Sequence, residues 1–83
     1  MKYAFENKAL KKLSGLERSV QQQIKDKLEF YMSSKNPLDF AEYLKEFELG
    51  EYRFRIGDYR ATFDVKNNVA LILKIGHRKD IYR

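Results

Sequence analysis

The chain begins with a short alternation. Between Lys2 and Phe5, polar residues alternate with aromatic or small ones, the period-two pattern of a strand. Asn7 then stands where a helix cap belongs, ahead of Ala9, Leu10 and Leu13 on one helical face, and Ser14-Gly15 supplies the stop. From about 17 to 32 the pattern lengthens: Leu16, Val20, Ile24, Leu28 and Met32 recur every fourth residue, with Arg18, Gln22, Lys25 and Glu29 on other faces. That stripe reads as core, because a helix of this length needs packing to persist. The run Ser33-Ser34-Lys35-Asn36-Pro37 breaks the helix, and Pro37 after a capping Asn36 opens a short one through Leu44. Phe40, Leu44 and Phe47 are left to plug the core or to meet a partner.

From Glu51 the period returns to two. Three strand-like runs, 52–56, 59–65 and 69–75, are separated by Gly57-Asp58 and by Lys66-Asn67-Asn68, which predicts an antiparallel β-meander. Helices ahead of a meander imply an α+β fold with one face of the sheet covered. Phe54, Ile56 and Phe63 form the core face, so Arg53, Arg55 and Arg60 point the other way. A two-residue turn at Gly57-Asp58 sets Arg55 beside Arg60. On the last strand the parity of Val69, Leu71, Leu73 and Ile75 is the more apolar and is assigned to the core, which requires a three-residue loop and brings Lys74 next to Arg60. Like charges directly opposite cost a sheet pair up to about 1 kcal/mol. An outside polyanion would relieve that cost.

Composition narrows the classes. The 83 residues, 43% hydrophobic with six Phe and six Tyr, suit one small core, so a single domain over 1–83 is expected. The absence of cysteine excludes disulfides, a zinc knuckle and a thiol nucleophile. The N-terminus lacks the apolar run of a signal peptide and no stretch suits a membrane helix, so a cytoplasmic location is expected. The net charge of +5 is unevenly spread: residues 51–83 carry eight Lys/Arg against four Asp/Glu, whereas 1–50 carry nine against eight. The C-terminal third also holds the one histidine, His77, followed by Arg78, Lys79, Tyr82 and Arg83. A lone histidine is more often a surface residue than a catalyst. Beside phosphate-binding arginines, however, an imidazole suits proton transfer in RNA cleavage, and a tyrosine ring can stack on an unpaired base.

The segments YRFRIGDYRATFDV at 52–65 and LKIGHRKDIYR at 73–83 resemble the most constant part of RelE-type toxins, and the helical hairpin ahead of them is similar too. The resemblance, to the RelE-like branch of the RelE/ParE superfamily, covers nearly the whole chain and is loosest over 33–50. It implies a RelE-like fold: a short N-terminal strand, a two-helix hairpin and an antiparallel meander. It also implies the toxin of a type II toxin–antitoxin module, acting as a ribosome-dependent endoribonuclease. Such a toxin cuts messenger RNA in the ribosomal A site through attack of a ribose 2′-hydroxyl on the adjacent phosphate, without metal or other cofactor. Its partners would be a cognate RelB-like antitoxin, the ribosome and the message.

Carried over by position, Arg53 and Arg55 stand at the basic pair of the first meander strand and Arg60 at the phosphate-binding arginine of the next. Arg78 corresponds to the tail arginine and Tyr82 to the nucleotide-orienting tyrosine, with His77 beside them; Lys74, Lys79 and Arg83 would add RNA contacts. The best understood relatives have lysines at the first-strand pair. Arginine, with a pKa above about 12, is a poor base, so these positions suit charge neutralisation better than proton abstraction. Two alternatives share these residues: the ParE branch, which blocks DNA gyrase without cutting RNA, and a non-catalytic RNA- or protein-binding module.

Overall fold

A computed structural model describes residues 1–45 and 49–81; Phe47, Tyr82 and Arg83 lie outside the described residues. Strand β1 (Lys2–Phe5) leads into helix α1 (Asn7–Ser14) and helix α2 (Arg18–Ser33). A 3-10 turn (Pro37–Phe40) precedes strands β2 (Ala41–Tyr43), β3 (Tyr52–Ile56), β4 (Tyr59–Lys66) and β5 (Val69–His77). Among the described residues one sheet forms in the order β1-β5-β4-β3-β2, with β1 parallel to β5 and the other pairs antiparallel. The α+β architecture is the one the residue pattern predicts.

Both helices lie on one face of the sheet. Ala9 and Leu13 from α1, and Ile24, Leu28, Tyr31 and Met32 from α2, share a core with Phe54, Ile56, Ala61, Phe63, Ala70, Ile72 and Ile75. The fourth-residue stripe of α2 is core, with Leu16 and Val20 packed at its margin. Gln21 closes the link between the helices, its Nε2 donating to the carbonyls of Leu16 and Ser14 at 2.8 and 3.2 Å. Rings tie α2 to the sheet: Tyr31 stacks on Phe40 and leans on Phe54, which stacks on Phe63.

Three local expectations are corrected. Glu6, not Asn7, is the N-cap residue of α1, and no side chain caps it; Leu10 is 46% exposed, because the helix is short and Ala9 and Leu13 alone meet the sheet. The helix opened by Pro37 stops at Phe40, and Ala41–Tyr43 instead pairs with β3, where the edge of the sheet offers unpaired backbone groups.

The largest correction concerns β5. Its connection to β4 is a two-residue turn, Asn67-Asn68, with φ of 53° and 62°; both central residues are left-handed, as in a type I′ hairpin turn. Lys66 therefore pairs with Val69, and Phe63 pairs with Ile72. A bulge then intervenes, and Thr62 pairs with Lys74, Ala61 with Ile75, Arg60 with Gly76 and Tyr59 with His77. The extra residue is Leu73. It lets β5 change parity midway, so that Ala70 and Ile72 before the bulge and Ile75 after it all face the helices. Leu71, assigned above to the core, is 38% exposed, and Leu73 is half-buried. Lys74 stands opposite Thr62 rather than Arg60.

Candidate functional site

The face of the sheet away from the helices carries the basic residues. Alternation along β3 buries Phe54 and Ile56 under the helices and leaves Arg53 and Arg55 on this outer side. Arg55 and Arg60 are direct cross-strand partners, as the turn at Gly57-Asp58 predicts. Their side chains diverge. Arg55 turns toward β2, where its Nε meets Glu42 Oε1 at 2.5 Å; Arg60 folds back over the turn, Nη1 donating to the carbonyls of Gly57 and Tyr59 at 2.8 Å each. The repulsion expected of the pair is thus relieved within the protein.

Glu42 holds both arginines of β3. It is the register partner of Arg53, and its Oε2 accepts from Arg53 Nη2 at 2.5 Å while Oε1 takes Arg55. The hydrogen bond from Arg53, aided by the charges of both guanidinia, holds the Glu42 carboxyl below the usual carboxylate range against the opposing effect of desolvation. Next in the row across the sheet is Thr62, paired with Arg53 on one side and Lys74 on the other. Thr62 is fully buried, and its hydroxyl has no hydrogen-bond partner among the described residues.

A second group gathers at the corner where the β3–β4 turn meets the end of β5. Arg78 N–H donates to the Asp58 carbonyl at 2.7 Å and its guanidinium lies 3.6 Å from the Asp58 carboxylate. The peptide N–H groups of Asp80 and Ile81 both donate to the His77 carbonyl, at 2.9 and 3.0 Å, turning the tail back. Ile81 is buried against Gly76, whose added Cβ would lie 3.5 Å from that of Ile81, and the Ile81 carbonyl accepts from Lys74 Nζ at 2.6 Å. Lys74 thus fastens the tail. His77 is the partner of Tyr59, edge-on to its ring, and shares the parity of Ile75; its Nδ1 accepts from Lys79 N–H at 3.2 Å. The structure therefore pairs Arg55 with Arg60 across the strands while their side chains diverge, sets Arg78 at the β3–β4 turn, and leaves His77 at the helix-side parity of Ile75. It does not bring Lys74 to Arg60.

The family model for the ParE toxin of type II toxin–antitoxin systems (parDE) matches residues 3–82. The chain belongs to the ParE toxin family. Solved toxin–antitoxin complexes contain chains of the same fold. Against one in the RelBE2 complex from Mycobacterium tuberculosis the TM-score is 0.76 at 23% identity, over 93% of this chain and 96% of that one. For the RelB–RelE complex from Methanococcus jannaschii the values are 0.71 and 24%, over 94% and 93%. For the intact Escherichia coli RelBE complex they are 0.68 and 22%, over 92% and 94%. At these identities the likeness is one of fold. No curated protein sequence matches the chain.

The toxin's residue pattern had pointed to Arg53, Arg55 and Arg60 but not to Glu42, Asp58 or Thr62. Glu42 was hidden because three residues are too short to show a period, and the preceding proline suggested a helix. An Arg-x-Arg pair on a strand does call for an anion across the next strand, and that is the clue the sequence held. Among the described residues no group of His, Asp and Glu is arranged to hold a metal ion, and no helix is long and apolar enough to cross a membrane.

Proposed function

We propose that this toxin is a ribosome-dependent endoribonuclease that cleaves messenger RNA in the A site. The observation that carries the reading is the cross-strand pair Arg55/Arg60 on the sheet face opposite the helices, with Arg78 at the adjoining β3–β4 turn. Guanidinia mounted on strands are preorganised donors for a phosphate whose charge rises during cleavage. The ribose 2′-oxygen attacks the adjacent phosphorus and the bond to the 5′-oxygen breaks, leaving a 2′,3′-cyclic phosphate. The proton lost by the 2′-hydroxyl must leave, and one must reach the departing 5′-oxygen. His77, at the end of β5 beside Tyr59, is the group proposed to move a proton, reaching the phosphate from the sheet's end rather than from the arginine face, because the charged arginines are unsuited to it. Arg53, Arg55, Arg60 and Arg78 neutralise the phosphorane. Tyr82, outside the described residues, supplies a ring for the base, and Lys79 and Arg83 add phosphate contacts. Lys74, also proposed as an RNA contact, holds the tail through the Ile81 carbonyl. The partner that restrains the toxin is proposed to be a RelB-like antitoxin, the kind found in the solved complexes of the same fold.

One observation favours a second reading: the matching family model is that of ParE toxins, which suggests inhibition of DNA gyrase. Primer extension on messages bound to translating ribosomes, run beside a gyrase supercoiling assay, separates the two. Wild type should give discrete cuts and leave supercoiling intact. Arg60→Ala should lower cleavage by about 100- to 1,000-fold, the usual cost of one preorganised donor, and Arg60→Lys should recover only part of it. Full toxicity of a folded Arg60→Ala protein, or gyrase inhibition without cuts, overturns the nuclease reading.

A further inference from the structure

Two guanidinia, from residues 53 and 55, close on the two oxygens of one carboxylate. A phosphodiester also offers two unsubstituted oxygens and a single negative charge, so it satisfies the same donors without changing the charge of the site. The clasp is open to exchange: the Arg55 side chain is 63% exposed and that of Glu42 42%, whereas that of Arg53 is 20% exposed and anchored. Ion pairs with this much exposure are weak. Glu42 also sits on the three-residue edge strand β2, which β3 supports from one side only. A carboxylate on the least supported strand therefore occupies the place where the basic face would grip a backbone phosphate.

The geometry points to Glu42 as a built-in counter-anion, which a phosphate of the bound strand must displace from Arg55 and Arg53. The inference rests on the reading that this face takes RNA, and adds that the toxin limits its own affinity for the strand. Glu42 shields the arginines from stray polyanions and yields to a strand held in place by other contacts.

The test is binding rather than cleavage. The dissociation constant of a single-stranded RNA 12-mer, made with 2′-deoxy sugars at its central steps, is measured by fluorescence anisotropy from 50 to 300 mM KCl. Wild type, Glu42→Gln, Glu42→Gln/Arg55→Ala and Arg60→Ala are compared, with thermal melting to confirm folding. Glutamine keeps the shape and a hydrogen-bond acceptor but removes the charge. Glu42→Gln should bind about tenfold more tightly at 100 mM salt, and its log–log salt slope should steepen by about 1, as expected when one or two further phosphates are neutralised on a single strand. The gain should vanish in the double variant. If Glu42→Gln binds no more tightly than wild type while Arg60→Ala weakens binding, the counter-anion role is overturned and the RNA face stands. If neither wild type nor any variant binds, Glu42 does not set the affinity for a strand and the inference is overturned, while the nuclease reading is decided separately by the cuts on ribosome-bound messages.

Discussion

Arg60 shows how one side chain can serve two roles. Its Nη1 closes the β3–β4 turn through the carbonyls of Gly57 and Tyr59, so truncation does more than relieve repulsion from Arg55. Exposed hydrogen bonds of this kind contribute about 0.5–1.5 kcal/mol. Arg60→Ala is therefore expected to lower the melting temperature by about 4–8 °C, the shift that about 1 kcal/mol produces in a domain of this size. A drop that small leaves the protein folded at the assay temperature, so the larger loss of cleavage would belong to the chemistry. Tyr3 gives a separate pH signature. Burial first, and then its 2.8 Å hydrogen bond to Glu29, push its pKa from 10.0 up to about 12. The unfolded chain thus loses that proton first, and the stability linked to Tyr3 is intact below pH 10 and lost as the pH rises from 10 to about 12. Urea denaturation of wild type and Tyr3→Phe across that window should show the wild-type advantage shrinking; a constant difference would mean that Tyr3 is not coupled to folding.

At the scale of elements, the β4–β5 hairpin sets the outer face. Its turn holds Asn67 and Asn68 at positive φ, a conformation that asparagine tolerates and β-branched residues resist. Asn68→Val should cost about 1–2 kcal/mol, the penalty of a left-handed side chain, and Asn68→Gly should be neutral or slightly stabilising. Urea midpoints would check both, and equal midpoints for valine and glycine would show that the turn is not of this type. The bulge at Leu73 lies under the segment that enters β3: a Cβ on Gly50, whose φ is +117°, would come 3.1 Å from Leu73 Cδ1 and 3.3 Å from the Phe63 carbonyl. Beside it, the Glu51 N–H donates to Asp64 Oδ1 at 2.8 Å, and Glu51 Oε1 accepts from Val65 N–H at 3.1 Å. These side chains join the two segments just before β3 begins to pair with β4.

For the molecule as a whole, the two faces of the sheet divide the work. One face is closed by the helices and supplies the stability; the other bears the arginines and carries the tail folded back over Gly76. A toxin built this way needs restraint from outside. Expressed alone in growing cells it should arrest growth, and coexpression of a RelB-like antitoxin with an acidic, apolar tail should restore growth and copurify. Continued growth at full expression of the folded protein would contradict toxin activity.

The alternation in 52–56 and 59–65 was enough to place Arg55 beside Arg60, because a strand with one buried face has a single workable parity and a two-residue turn leaves no slack. The spacing of Ile24, Leu28 and Met32 specified α2 in the same way. The run from Val69 to Leu73 is apolar at both parities, so burial alone is a poor guide to the choice of its register. That choice fell to the left-handed Asn67-Asn68 turn and to the bulge at Leu73, which fits against Gly50 from elsewhere in the chain. Ala41–Tyr43 is a strand because β3 offers an open edge, a condition that no local pattern contains. The acceptors of the arginines were beyond local reading for a related reason. A guanidinium on a long flexible stem takes whichever oxygen the packed fold brings within reach, and those oxygens lie on β2 and on the turn backbone.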